Sequence, residues 1–280
     1  MDQPRRYVFT GNCSGVSFHI RRPVDAILPV QAASCLPVTG GLSESRVGRG
    51  SLPKPGSATD YVSFESASTI ARGDYVDPTL AIAMTRKEVA FDAVPTLTTA
   101  TAEVTGLVVL GRVSIDLAVM SMQAESAEYP EEPEIYCRGM RLEGIRVDGY
   151  PVRVTLADQF FWDNNTKSKL EKACANGYEP QLFFKANNAA AYGYGNPTGT
   201  VKCTVVSQLA WADQPNPNAT IEGNSIVIPN FGIVYFGEAY ITSCSRRITM
   251  VRFQLGSDDG GDGTAASGET NGNPWPPTEP

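Results

Sequence analysis

Residues 226–255 read IVIPNFGIVYFGEAYITSCSRRITMVRFQL, and apolar side chains occupy alternating positions and many of the positions between them. Side chains of an extended chain point to opposite faces with period two. Phe231, Ile233, Tyr235 and Ile241 therefore fall on one face, and Val234, Phe236 and Tyr240 on the other. Both faces want cover, which predicts strands within a β-rich protein that has a sizeable core. Gly232 and Gly237 interrupt the run without ending it, as glycines do at bulges or where another backbone comes close. The stretch names no chemistry.

Outward from this block the same alternation recurs. Val16, Phe18 and Ile20 predict a strand over residues 7–20. Residues 36–60, including GGLSESRVGRGSLPKPGS, bury too little to order themselves and read as a long exposed loop. Short β segments are expected at 61–71 and 80–91. In residues 104–122, Val113, Ile115, Leu117 and Val119 face one side, with Arg112, Ser114, Asp116 and Ala118 opposite. Gly106 and Gly111 there mark a bend or a hairpin. An acidic, proline-bearing loop follows at 125–134. Asp148-Gly149, flanked by Ile145, Val147, Val152, Val154 and Leu156, suits the positive φ angles of a tight hairpin, with Pro151 at its edge or turn.

One short helix is expected at residues 167–175, capped by Asn164 or Asn165 and stopped by Asn176-Gly177. Leu170, Ala173 and Cys174 share a stripe, which turns Cys174 towards the sheet. Phe160-Phe161-Trp162 reads as packing. Strands resume at 182–185 and 200–209. Residues 256–280, GSDDGGDGTAASGETNGNPWPPTEP, show no packing pattern and are expected to be disordered unless a partner orders them. The predicted architecture is mainly β: an antiparallel β-sandwich-like core with one short helix and a Gly/Pro-rich C-terminal tail. It divides into a single β-rich domain, 1–255, with a candidate sub-boundary near 124–134, and the tail, 256–280.

Charge narrows the partners. A net charge of −7 argues against nucleic acid, whose phosphates need a basic face. The pairs Arg5-Arg6, Arg21-Arg22 and Arg246-Arg247 are scattered and read as solvated strand ends. No apolar stretch reaches the roughly 20 residues of a membrane-spanning helix, so no membrane insertion is expected. The opening MDQPRRYVFTGN lacks the apolar core of a secretory signal, which leaves a cytoplasmic location or export by a non-Sec route. The six cysteines form no C-x-x-C pair, and free buried thiols are expected.

Catalytic chemistry finds little footing. Gly11-Asn12-Cys13-Ser14-Gly15 has the spacing of a nucleophile elbow with cysteine as nucleophile, and His19 is the chain's one histidine. An elbow requires strand, turn and helix, whereas Val16, Phe18 and Ile20 continue as strand. A single histidine also excludes multi-His metal sites. Asp258, Asp259 and Asp262 fit no EF-hand spacing, and Glu125, Glu128, Glu131, Glu132 and Glu134 crowd one loop. Asp158 has no visible partner. No phosphate-cradling loop follows a strand, and no cofactor is implied. The loop AYGYGNPTG (191–199) alternates aromatics and glycines, as sugar-stacking loops do.

Two blocks carry a resemblance: IRVDGYPVRVTLADQFFWDNNTKSKL at 145–170, and residues 229–275 with PNFGIVYFGEAYI, RRITMVRFQLGS and NGNPWP. They resemble a family of uncharacterised bacterial β-rich proteins with no established activity. The resemblance implies a bacterial source and a tail that belongs to the folded unit.

Three functional expectations follow. The leading one is a non-enzymatic structural protein that self-associates as a homo-oligomer, with Trp275 in its tail as a contact. The second is a carbohydrate-binding module, for a glycan or cell-surface partner, with Tyr192, Tyr194, Trp211 and Trp162 as platform. The third is a cysteine hydrolase at Cys13.

Overall fold

The computed structural model describes residues 6–77, 95–126, 132–184, 200–242, 245–256 and 259–275. Nineteen strands are set out among them. In chain order these are β1 (Arg6–Ile20), β2 (Ala26–Cys35), β3 (Gly41–Val47), β4 (Gly50–Leu52), β5 (Val62–Phe64), β6 (Ser66–Tyr75), β7 (Thr96–Val109), β8 (Val113–Ser126), β9 (Glu134–Tyr136) and β10 (Arg141–Glu143). There follow β11 (Ile145–Val147), β12 (Tyr150–Leu156), β13 (Val201–Thr204), β14 (Val206–Trp211), β15 (Thr220–Glu222), β16 (Ser225–Ile228), β17 (Gly232–Ile241), β18 (Arg246–Leu255) and β19 (Gly261–Trp275). Between β12 and β13 lie the helices α1 (Asp158–Asp163) and α2 (Lys167–Ala175).

All pairing is antiparallel, and ten of the seventeen strand pairs among the described residues join neighbours in sequence. One sheet runs β15-β16-β17-β18-β19-β1-β2, with β13 beside β17; the other is built on β14-β12-β11-β8-β7, with β3 and β6 on the far side of β7. The two pack face to face over one apolar core, in which Met120 of the second sheet reaches Gly268 of the first, and Phe18 and Phe253 of the first lie with ring centroids 5.2 Å apart. The chain changes sheet after β2, β12, β13 and β14, most abruptly at Val205, the single residue between β13 and β14.

The apparent double-sided apolarity of the long strands has a specific origin. In β1 the buried residues are Tyr7, Phe9, Gly11 and Cys13 before Gly15, and Val16, Phe18 and Ile20 after it. The inward set thus switches from odd to even positions within one strand. β17 does the same at Gly237, burying Val234 and Phe236 and then Ala239 and Ile241, while Ile233, Tyr235 and Tyr240 stay partly exposed. The switches align across the sheet. Gly237, Met250, Ala266, Gly15 and Ala32 lie in one row between ladder pairs, with Gly237, Ala266 and Ala32 at φ of 65°, 50° and 57°.

A matching row crosses the second sheet through Glu65, Gly106, Asp116 and Gly144. There Leu117 leaves the inward set of Val113 and Ile115, and Ala118, Met120 and Met122 replace it. The expected shared face of Val113, Ile115, Leu117 and Val119 is broken at this row. Each sheet is therefore creased, and one continuous inner face is lined by two registers of side chains.

The hairpin at Asp148-Gly149 forms as expected, with φ of 51° and 85°. Gly111 sits in the β7–β8 turn and Gly106 in the crease. Three expectations are corrected. Residues 36–60 are not one loop, because β3 and β4 pair there with β6 and β5. Thr166, not Asn164 or Asn165, caps α2, and Cys174 is exposed while Leu170 and Ala173 are buried. The tail is not disordered through residues 261–275, where β19 lies between β18 and β1. Its small side chains hid this role: Gly263 and Gly268 admit the Phe18 ring and the Met120 side chain, which a Cβ would meet at 2.2 Å and 2.1 Å. The expected segment at 80–91 lies outside the described residues.

Candidate functional site

The crease separates the two groups of the expected cysteine–histidine site. Cys13 points inward from the first half of β1, where its Sγ donates to the Ile70 carbonyl at 3.5 Å. Burial pushes its thiol up to about 12. His19 lies beyond the crease on the outer face, bonded through Nε2 to Asp25 Oδ1 at 2.6 Å. A neutral thiol closed off from its base and from solvent has no route to nucleophilic chemistry. Cys137 and Cys203 are likewise buried, free and raised by desolvation. Cys35 and Cys174 are exposed, and Cys244 lies outside the described residues.

The aromatic platform fares little better. Tyr192 and Tyr194 lie outside the described residues, as does the side chain of Trp275, whose backbone pairs with Arg6. Trp211 is partly buried against the core at the end of β14. Trp162 is exposed, but its ring meets Tyr136 at 44° and the Arg138 guanidinium lies 4.3 Å from its centroid. These rings are tilted and roofed by a cation, whereas stacking a sugar needs open faces.

The acidic groups are structural in their placement. Glu132 accepts from the Ser168 N–H and hydroxyl at the start of α2. Asp259 is bound by Lys54 and Asp262 by Arg21, each at 2.7 Å. Asp158 opens α1, and burial alone raises its carboxyl above the ordinary range.

Two surface features were not legible beforehand. The first is the side of the sandwich where β2 and β3, edge strands of opposite sheets, run beside each other without pairing. Among the described residues the exposed large apolar side chains are Val24, Ile27, Val30, Val38, Leu42, Val76, Trp162 and Tyr178. The first five lie on β2, on β3 or on the segments flanking these strands, and Val76 follows β6. Ile27 and Val38 are 60% and 63% exposed. From Ala26 to Leu36 there is no charged residue, and Pro29 with the bulge beside it and the crease at Ala32 interrupt the strand.

The second is a cleft of about 380 Å³ between the β1–β2 and β18–β19 turns. Arg21, Arg22, Arg252 and Asp262 line it. Arg252 is fixed from below: Nε and Nη2 donate to the two oxygens of buried Glu238 at 2.5 Å and 2.9 Å, and its guanidinium lies 3.9 Å from the Tyr235 ring centroid. The signals available were the Arg21-Arg22 pair, read as solvated, and Gly260, placed in the tail.

Comparison with known proteins places the chain in a family. Residues 7–193 match a domain of unknown function, DUF8256. The chain belongs to that family. No curated protein matches. Among solved structures, an active-site mutant of outer membrane phospholipase A from Escherichia coli aligns over 94% of this chain and 91% of that one, at 8% identity and a TM-score of 0.16. A likeness that weak carries no argument about fold or activity. The family match takes in β1 to β12 and both helices, and stops before β13.

Proposed function

We propose that this DUF8256 protein is a non-enzymatic structural component that self-associates through the edge formed by β2 and β3. The observation that carries the reading is the concentration of exposed aliphatic side chains on that one side. A long apolar strand edge lacking charge is a template for pairing with another chain, and proteins that stay monomeric blunt such edges. The outward residues of β3, Leu42, Glu44 and Arg46, suit a second copy. A two-fold axis at Ser45 in an antiparallel pair sets Glu44 against Arg46 of the other chain, and the reverse. The double-sided apolarity of residues 226–255 no longer contributes, because the crease accounts for it.

Sedimentation velocity over a hundredfold concentration range tests the proposal. The wild type is expected to populate a dimer or larger species, and Ile27→Lys with Val30→Lys to remain monomeric with an unchanged circular dichroism spectrum. A wild-type protein that is monomeric at the highest concentration overturns the proposal.

A further inference from the structure

We propose that the cleft between the β1–β2 and β18–β19 turns is a binding site for a small oxyanion, a carboxylate or phosphate group, with Arg22 as the residue that takes it. Three guanidinium groups converge on the cleft. Two are matched, Arg21 by Asp262 and Arg252 by Glu238. Arg22 has no carboxylate partner among the described residues, so the lining keeps one positive charge in a chain whose net charge is −7. The planar fork of a guanidinium matches two oxygens of one carboxylate or phosphate, which gives geometry as well as charge.

The site is also built in advance of any ligand. The Gly260 carbonyl accepts the backbone N–H groups of both Arg21 and Arg22, at 2.7 Å and 3.2 Å, and so clamps one turn to the other. The Arg22 guanidinium then lies across the Gly260 backbone, where a Cβ would sit 3.0 Å from Nη2 and 3.1 Å from Nε. A Cβ there would crowd that pose, and the guanidinium would have to shift by a few tenths of an ångström. The clamp fixes the turn that carries the cation, and groups held in place before binding lose less freedom when a ligand arrives.

The test is titration of the whole chain with inorganic phosphate and, separately, with citrate, followed by arginine Nε–Hε resonances at constant ionic strength. One arginine signal is expected to shift saturably and to be absent from Arg22→Gln, with affinity falling at least about tenfold in that variant. Arg22→Lys retains part of the affinity as a point charge. Gly260→Ala weakens binding by shifting the guanidinium, with its unfolding midpoint confirming that the chain still folds. Phosphate against citrate tells which oxyanion the fork prefers. The proposal is overturned if sodium chloride gives the same shift, if Arg22→Gln binds as the wild type does, or if Arg153→Gln on the other sheet weakens binding equally.

Discussion

Gly15 shows how closely the creases depend on single side chains. A Cβ at this position would lie 2.5 Å from the Gln31 carbonyl oxygen and 2.8 Å from the Ala67 Cβ, so neither a strand nor the facing sheet can yield without a backbone shift. Gly15→Ala is expected to cost about 1–3 kcal/mol, the range of overpacking in a filled core, while Gly48→Ala, in open space, changes little. Urea denaturation of the two variants makes the comparison. Arg246 is the other demanding residue. It is 2% exposed, its Nη1 and Nη2 donate to the carbonyls of Ile135 and Asn165 at 3.2 Å and 2.7 Å, and its Nε meets no partner among the described residues. Burial depresses its pKa, so the charge is tolerated rather than favoured. Arg246→Ala leaves both carbonyls without this donor and a void beside them, which should destabilise by roughly 2–4 kcal/mol. Asp148 sets a pH dependence. Arg112 donates to both its oxygens, at 2.8 Å and 2.7 Å, and holds its carboxyl below the ordinary range. A folded value below the unfolded one gives stability that is complete above about pH 4 and is lost as pH falls through the folded value. Asp148→Asn should therefore flatten the acid limb of the stability curve and leave its slope near neutrality unchanged, as thermal midpoints from pH 2 to 7 will show.

At the scale of elements, β19 was the least legible piece and is among the most central. It pairs along fourteen positions with β1 and along nine with β18. Its sequence, GDGTAASGETNGNPW, carries no hydrophobic alternation because its inward positions are Gly263, Ala265, Ala266, Gly268 and Thr270, cut down to receive large side chains from β1 and β8. A strand whose bulk is supplied by its neighbours looks like a linker when read alone. The opposite error arose in β17, where a phase switch at Gly237 made a one-sided strand look two-sided, while in β8 the switch at Asp116 broke a face that reads as continuous. By contrast Asp148-Gly149, Gly111 and the Asn176-Gly177 stop read correctly, because turn chemistry is local and needs no partner. The candidate sites divide in the same way. Cys13 and His19 are near in sequence, but whether a strand keeps its face across Gly15 depends on strands far along the chain. The arginine cleft joins residues 21–22 to residues 252–262, and the β2–β3 edge is defined by strands that pair on one side only among the described residues. Replacing Ala265 with Asp tests the reading of β19. The position is fully buried, so a carboxylate there lacks a partner and should remove cooperative unfolding at neutral pH, whereas the same change at Thr264, on the outer face, should be tolerated. An unaltered transition in Ala265→Asp would contradict a central β19.

For the whole molecule, the ordering of strands makes the family boundary a question of cooperativity. Residues 7–193 supply all of one sheet except β14, but only β1 and β2 of the other. The remaining strands, β15 to β19 with β13, come after the match and close the sandwich by bringing the end of the chain back against its beginning. A chain cut at residue 193 would keep the inner face of the second sheet, with Val104, Met120 and Met122 at its centre, and lose the aromatic residues Phe231, Phe236 and Phe253 from the core. It would also strip β1 of its β19 partner and leave β1–β2 as a lone hairpin, which is marginal in water. Two packed layers are what allow a sheet with one apolar face to exist at all. The fragment 1–193 is therefore expected to show no sharp unfolding transition and to aggregate, while the full chain unfolds in a single step from either sheet's viewpoint. Mixing the fragment with a separately made 194–280 peptide should restore a cooperative transition, because the interface between them is the interior of the sandwich. Hydrogen exchange on the full chain gives the same answer without cutting it: amides of β7 and β18, one from each sheet, should share one opening free energy. Two well-separated values would mean that the sheets are independent units and that the crossing at Val205 is merely a link between them.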